Sequence, residues 1–336
     1  MSIRTVKLSG CSMKKRLKKI FDKVIEVLFA VCLVAVTWLA VEVFCITSFS
    51  IPSDSMEPVL KAGDNIWVEK LSYGTRLFDV TEALKGNRVE VKRLPGFGKV
   101  KRGDVVVFHN PCPHEWMKLE MDLMKYYVKR CAALPGDTFY IENGIYKVKG
   151  YDKPIGDVER QQEFSQTIDR EGYDRNHPLM RVYPDSRFTG WSPQTFGPFH
   201  IPQCGDSIPM NERNVLLYRN VIEWEQRKDL VWQDEEALLG GEAITGYRFK
   251  DNYYFMVGDK VENSRDSRYW GLVPEDFIVG KVWKIWKSVD KYTGNGGAPI
   301  LKRDRVEALP HPFLRLSYFF RSNSCKLSSF LVSRNS

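Results

Sequence analysis

The chain has 336 residues, 43% of them hydrophobic, which excludes a disordered or collagen-like protein and leaves room for one large domain or two modest ones. Its formal charge is +8, but residues 1–23 hold eight Lys and Arg against Asp22 alone, so the arm carries +7 and the rest of the chain only +1. That distribution argues against a broad phosphate-binding face and against nucleic acid as a partner. The seven cysteines, at 11, 32, 45, 112, 131, 204 and 325, are odd in number and lack C-x-x-C or Cys/His ligand spacing, so neither a disulfide framework nor a metal site is read, and no cofactor is expected.

Behind the basic arm, Val27 to Val41 carries no charge and one polar residue, Thr37, and the apolar stretch extends over 24–46 if Glu26 and Glu42 lie near its ends. As a helix this segment reaches roughly 34 Å, enough for a bilayer core. A cleaved signal peptide shares the pattern, but the span is long and no small-x-small cleavage site follows it. The reading is an uncleaved, single-pass signal anchor. The positive-inside rule then puts residues 1–23 in the cytoplasm and the body outside, with membrane lipid as a partner.

The body reads as β-rich. Asn65-Ile-Trp-Val-Glu69, Val105-Val-Val-Phe108, Tyr126-Tyr-Val-Lys-Arg130 and Phe277-Ile-Val-Gly-Lys-Val-Trp283 are rich in β-branched and aromatic residues, and long amphipathic helices are not evident. Gly-Asp pairs recur at 63–64, 103–104, 136–137, 205–206 and 258–259, and each reads as a strand-entry turn. Residues 150–246, polar and rich in proline and aromatics, read as an inserted β-rich subdomain between the two parts of a core over 49–149 and 247–291. A basic, serine-rich tail covers 292–336.

Just beyond the anchor lies Ile51-Pro-Ser-Asp-Ser-Met-Glu-Pro-Val-Leu60. A serine nucleophile needs a base, usually histidine, and the histidines at 109, 114, 177, 200 and 311 sit in no recognised triad motif. A lysine whose pKa is lowered by burial can serve instead. Lys129 fits, lying in the mainly apolar run Tyr127-Val-Lys-Arg-Cys-Ala-Ala-Leu-Pro135, with Tyr127, Cys131 and Ala133 on its face of a strand and Arg130 on the other. Taken singly, Ser-x-Ser reads as an ordinary turn and a strand lysine as an exposed edge residue.

Together the segments resemble the bacterial type I signal peptidases, membrane-bound Ser/Lys endopeptidases. Ser53-Asp-Ser-Met-Glu-Pro58 is similar to the family's nucleophile box, followed in family order by Gly63–Lys70, Lys101–Phe108, Lys129–Asp137 and Gly258–Gly271. The resemblance implies a largely antiparallel β catalytic core with a second subdomain. It also implies removal of signal peptides at the outer face of the cytoplasmic membrane, near the export translocon and without a cofactor. It assigns Ser55 as nucleophile, Lys129 as general base, and the Ser53 hydroxyl with the Ser55 N–H as oxyanion hole. Ser264 would hydrogen-bond the Lys129 amine, with Asp266 and Arg268 as a supporting pair. Ile51, Pro52, Met56, Leu60, Tyr127 and Val128 match positions lining shallow pockets for small substrate residues at −1 and −3. The chain departs from the family pattern at Lys260-Val-Glu262, where many members carry Asn-Arg-Asp, and at Val59, which replaces a common threonine. Two rival readings use the same residues. A catalytically silent anchored β module binding exported peptides requires loss of Ser55 or Lys129, and both are present. A soluble autoprotease of the SOS-repressor type requires an N-terminal helix-turn-helix domain in place of the apolar span.

Overall fold

The computed structural model describes residues 9–79, 81–82, 85, 89–112 and 118–289. The tail from 292, with His311, and also His114, lie outside these residues.

The first element is a helix of 36 residues, α1 (Ser9–Phe44), and its stretch Leu17–Phe44 is long and apolar enough to cross a membrane, with none of it buried inside the protein. The Thr37 hydroxyl is satisfied within the helix, donating to Leu33 O at 2.8 Å. The helix is shorter at its C-terminal end than the apolar stretch: Ile46 is already the first residue of strand β1 (Ile46–Ser50), opposite Glu69 of β2 (Asp64–Glu69). The last helical carbonyls, which have no partner further along the helix, are taken by the body. Lys70 Nζ donates to Glu42 O (3.0 Å) and Val43 O (3.2 Å), and Thr75 Oγ1 donates to Phe44 O (2.7 Å).

The remaining strands of the main sheet are β3 (Val105–Asn110), β4 (Asp122–Ala133), β8 (Tyr253–Val257), β9 (Val273–Pro274) and β10 (Ile278–Ser288). They join in the order β1-β2-β10-β3-β4-β8-β9, and every neighbouring pair is antiparallel. Alternation along β3 explains the two cores. Val105 and Val107 join Ile66, Val68 and Val282 in a smaller apolar cluster, while Val106 and Phe108 face a larger one. A second sheet, β5 (Thr138–Glu142), β6 (Ile145–Val148) and β7 (Phe196–His200), closes over the larger core, where the Phe139 and Phe255 rings stack at 4.2 Å.

The Gly-Asp reading holds at four sites. At Lys61–Asp64 the Asp64 carboxylate accepts the Lys61 N–H (2.8 Å) while its own N–H returns to Lys61 O (3.0 Å), around Gly63 at φ 96°. Asp104, Asp137 and Asp206 close their turns in the same way on Lys101, Leu134 and Gln203. The fifth pair differs, because Gly258 follows a strand rather than opening one.

Residues 150–246 hold more helix than the sequence pattern suggests, with α2 (Val158–Glu171) and α3 (Glu212–Gln226) set beside short strands at 207–209, 230–233, 236–239, 242–244 and 246–248. The face α2 buries is Gln161, Phe164, Ser165 and Ile168, a helical spacing half hidden in sequence because two of the four are polar. Gln161 is satisfied in its buried place, accepting the Tyr146 N–H and donating to Ile155 O. Helix α3 ends on Arg227 in the left-handed region, without the glycine that usually marks a stop.

Candidate active site

The segment Ile51–Leu60 leaves β1 and returns to β2 as a series of turns, pinned at both ends by apolar side chains. Ile51, Met56 and Leu60 are buried in the smaller core, with Val128 of β4 packed against it. Two backbone bonds close the loop, Ile51 N–H to Asp64 O and Gly63 N–H to Ile51 O. Between these pins Ser53 is exposed and Ser55 half-buried, with their hydroxyl oxygens 3.5 Å apart.

Lys129 lies opposite Val106 in the β3–β4 ladder and is 1% exposed. Its Nζ is 2.6 Å from Ser55 Oγ, so residues 74 positions apart in sequence meet in a direct hydrogen bond. Burial is the main influence on the amine and lowers its pKa from 10.5 to about 8. The carboxylates of Asp266, Asp259 and Asp54 oppose that drop, and the Arg268 guanidinium reinforces it. A lysine in this state is neutral far more often near neutral pH than a free lysine, and in that form it can accept a proton from a hydroxyl in contact with it.

The third part of the site is the loop after β8. Gly258 lies where a side chain cannot: a β-carbon built there would stand 2.1 Å from Ser264 Oγ and 2.7 Å from Ser55 O. Asp266 and Arg268 form a fully buried ion pair at 2.8 Å. The Asp266 carboxylate also accepts the Gly258 N–H at 2.9 Å, so the pair holds the loop that abuts Ser55. Removing either partner would strand a buried charge.

Most of the residues singled out from sequence converge here, with three qualifications. The Ser264 hydroxyl is buried but makes no hydrogen bond, to Lys129 or to anything else; it lies against Gly258, while the close partner of the amine is Ser55. Tyr127 packs against the larger core and Trp270, whereas Ile51, Met56, Leu60 and Val128 share the smaller one. Pro52 is exposed beside Ser53.

Among the described histidines none bonds Ser55. His109 is buried, donates its Nδ1–H to Asp122 O, and has its pKa pushed down to about 3 chiefly by burial. His177 caps a short helix, and His200 contacts Asp206. Sequence reasoning passes over Lys260, visible there only as a departure from the family pattern, although its Nζ reaches both Asp54 and Glu57 beside the serine. It also passes over Asp259, which pairs with Arg130.

A family model described as signal peptidase, peptidase S26, matches residues 22–287. Signal peptidase I of Buchnera aphidicola subsp. Schizaphis graminum is 28% identical over 255 residues, covering 74% of this chain and 70% of that protein. Signal peptidase I of Buchnera aphidicola subsp. Acyrthosiphon pisum is 29% identical with the same two coverages. Signal peptidase I of Pseudomonas fluorescens is 28% identical over 73% of this chain and 66% of that protein.

Proposed function

Because this chain belongs to the signal peptidase family, peptidase S26, its reaction is the removal of signal peptides by a serine endopeptidase, and we propose that Ser55 is the nucleophile and Lys129 the general base of that reaction. The observation that carries the assignment is the 2.6 Å contact between Ser55 Oγ and a fully buried lysine amine whose proton affinity burial has lowered.

The neutral Lys129 amine takes the Ser55 proton as Oγ attacks the scissile carbonyl. Negative charge then develops on the carbonyl oxygen, and the Ser53 hydroxyl and Ser55 N–H are the donors for it. The resulting ammonium returns its proton to the departing amine as the peptide bond breaks, leaving the acyl group on Ser55. Water, deprotonated in turn by Lys129, hydrolyses that ester. Asp266 and Arg268 act through the loop they fix rather than on the substrate.

In this reading the small residues at −1 and −3 lie against Ile51, Pro52, Met56, Leu60 and Val128, with Tyr127, packed on the other core, 5.9 Å from the Lys129 amine. The apolar helix is the membrane anchor, with residues 1–23 cytoplasmic and the body on the outer face of the cytoplasmic membrane, where lipid and the export translocon are its surroundings. The direct test is incubation of the detergent-solubilised protein with a labelled preprotein beside its Ser55→Ala and Lys129→Met forms. Cleavage by the wild type alone is the expected result, and cleavage by either variant would remove the altered residue from its role.

A further inference from the structure

The family pattern breaks at Lys260-Val-Glu262, and at this break the structure ties two loops together. Lys260 Nζ donates to Asp54 Oδ2 at 2.5 Å and to Glu57 Oε2 at 3.4 Å, while its backbone N–H donates to Ser55 O at 3.1 Å. Asn263, one turn on, donates through Nδ2 to both Asp54 oxygens at 3.0 and 3.1 Å. Thus the residue before the serine, the serine carbonyl and the residue two after it are all held from one short segment. The Lys260 and Asp54 side chains are only 22% and 23% exposed, so their pairing is screened less than an ion pair on an open surface.

We propose that Lys260 is a positioning residue for signal-peptide cleavage, clamping the Ser53–Ser55 turn against the final loop and neutralising the Asp54 carboxylate beside the Lys129 amine. The inference rests on the Ser55/Lys129 reading and adds to it a residue that touches neither the substrate nor the reacting atoms. It has a geometric part and an electrostatic part. Geometrically, Asp54 lies between the proposed oxyanion donor Ser53 and the nucleophile, so releasing it loosens both at once. Electrostatically, the groups acting on Lys129 are Asp266, Asp259 and Asp54, which favour its charged form, and Arg268, which disfavours it. The Tyr127 ring also lies 5.9 Å from Nζ. Lys260 offsets one of the three carboxylates. Its own acidic contacts are Asp54 and Glu57, whereas the neighbouring Glu262 is engaged by Arg160.

The test is steady-state cleavage of a labelled preprotein by the full-length, detergent-solubilised enzyme across pH, comparing wild type with Ser55→Ala, Lys260→Met, Lys260→Arg and Asp54→Asn. Lys260→Met should lower kcat by about ten-fold with KM changed by less than about three-fold, the mark of an interaction that matters in the transition state. It should also move the acidic limb of kcat/KM upward by roughly half a pH unit, because an uncompensated Asp54 favours the ammonium form of Lys129. Lys260→Arg should restore both. Asp54→Asn should move the limb the other way, since it removes a carboxylate and leaves Lys260 positive. An unmoved limb in both Lys260→Met and Asp54→Asn would overturn the proposal, as would a lost kcat that Arg does not restore. If Lys260→Met fails to fold, the direction of the limb's movement in the nearly isosteric Asp54→Asn decides. Cleavage by Ser55→Ala at the wild-type rate would instead overturn the underlying assignment, so the two failures are distinct.

Discussion

Arg130 grips Asp259 with two prongs, Nε to Oδ1 at 2.7 Å and Nη2 to Oδ2 at 2.6 Å, and so fastens the loop carrying Ser264 and Asp266 to the strand carrying Lys129. The third guanidinium nitrogen donates to Gly103 O, and the Asp259 side chain is 1% exposed. Arg130→Met would leave a buried carboxylate without its partner, at a cost of about 3–5 kcal/mol. Asp259→Asn, which keeps the shape and discards the charge, should cost less. Urea unfolding of the two variants measures the difference, and equal, small losses would mean that the loop is held by other contacts.

The pH behaviour of Lys129 links activity to stability. Its folded-state value lies near 8, below the 10.5 of a free lysine, so kcat/KM should rise with pH through about 8 as the amine becomes neutral. Between about 8 and 10.5 the unfolded chain binds more protons than the folded one. Stability should therefore climb across that window, and below it the buried ammonium is a burden on the fold. Lys129→Met should abolish turnover and yet stabilise the protein at pH 7 by about 3 kcal/mol, the free energy that corresponds to the gap between those two proton affinities. Lys129→Arg should be equally inactive without that gain. Because Ser55 and Lys129 act as a unit, the double variant with Ser55→Ala should be scarcely worse than either single one. A Lys129→Met enzyme that still cleaves would point to another base.

Ser53 tests the oxyanion donors. Its hydroxyl is exposed and 3.5 Å from Ser55 Oγ, so Ser53→Ala should leave the nucleophile and the fold in place. Loss of one donor should lower kcat by roughly 10²–10³-fold with a smaller change in KM. Ser53→Thr, which keeps a hydroxyl, should retain part of the activity. Full kcat in the alanine variant would take Ser53 out of the reaction.

The proposed orientation in the membrane rests on the +7 arm before the apolar helix. Protease added to spheroplasts should digest the body from residue 49 onward and spare residues 1–23. Protection of the body would reverse the assignment.

The strands are legible in sequence because each depends on a local signal, whereas Ser55 and Lys129, 74 positions apart, stand out only through the family resemblance, since either segment alone reads as ordinary. Val105–Phe108 and Tyr126–Arg130 carry the β-branched and aromatic residues of β3 and β4, and the Asp64 and Asp104 turns follow from a glycine beside a side chain that accepts locally. Helix α2 is not legible, since Gln161 and Ser165 occupy half of its buried face, and the hydrogen bonds that satisfy Gln161 exist only once Tyr146 and Ile155 are in place. Gly258 reads as a turn glycine like the other four, but its reason is steric and lies with Ser264 and the Ser55 carbonyl. Lys260 is invisible for a related cause: its partners Asp54 and Glu57 are more than 200 positions away.

Only Cys45 stands between the last residue of α1 and the first of β1, and the Lys70 and Thr75 contacts leave that joint no slack. In the proposed orientation the blade therefore works at a fixed height above the bilayer, like a plane iron set in its block. A substrate whose own apolar segment is lodged in the same bilayer presents its bonds at elevations determined by the length of that segment. On that proposed orientation, register along the substrate is expected to depend on the hydrocarbon surface as well as on the side chains at −1 and −3, and a preprotein with suitable small residues at the wrong elevation is expected to go uncut.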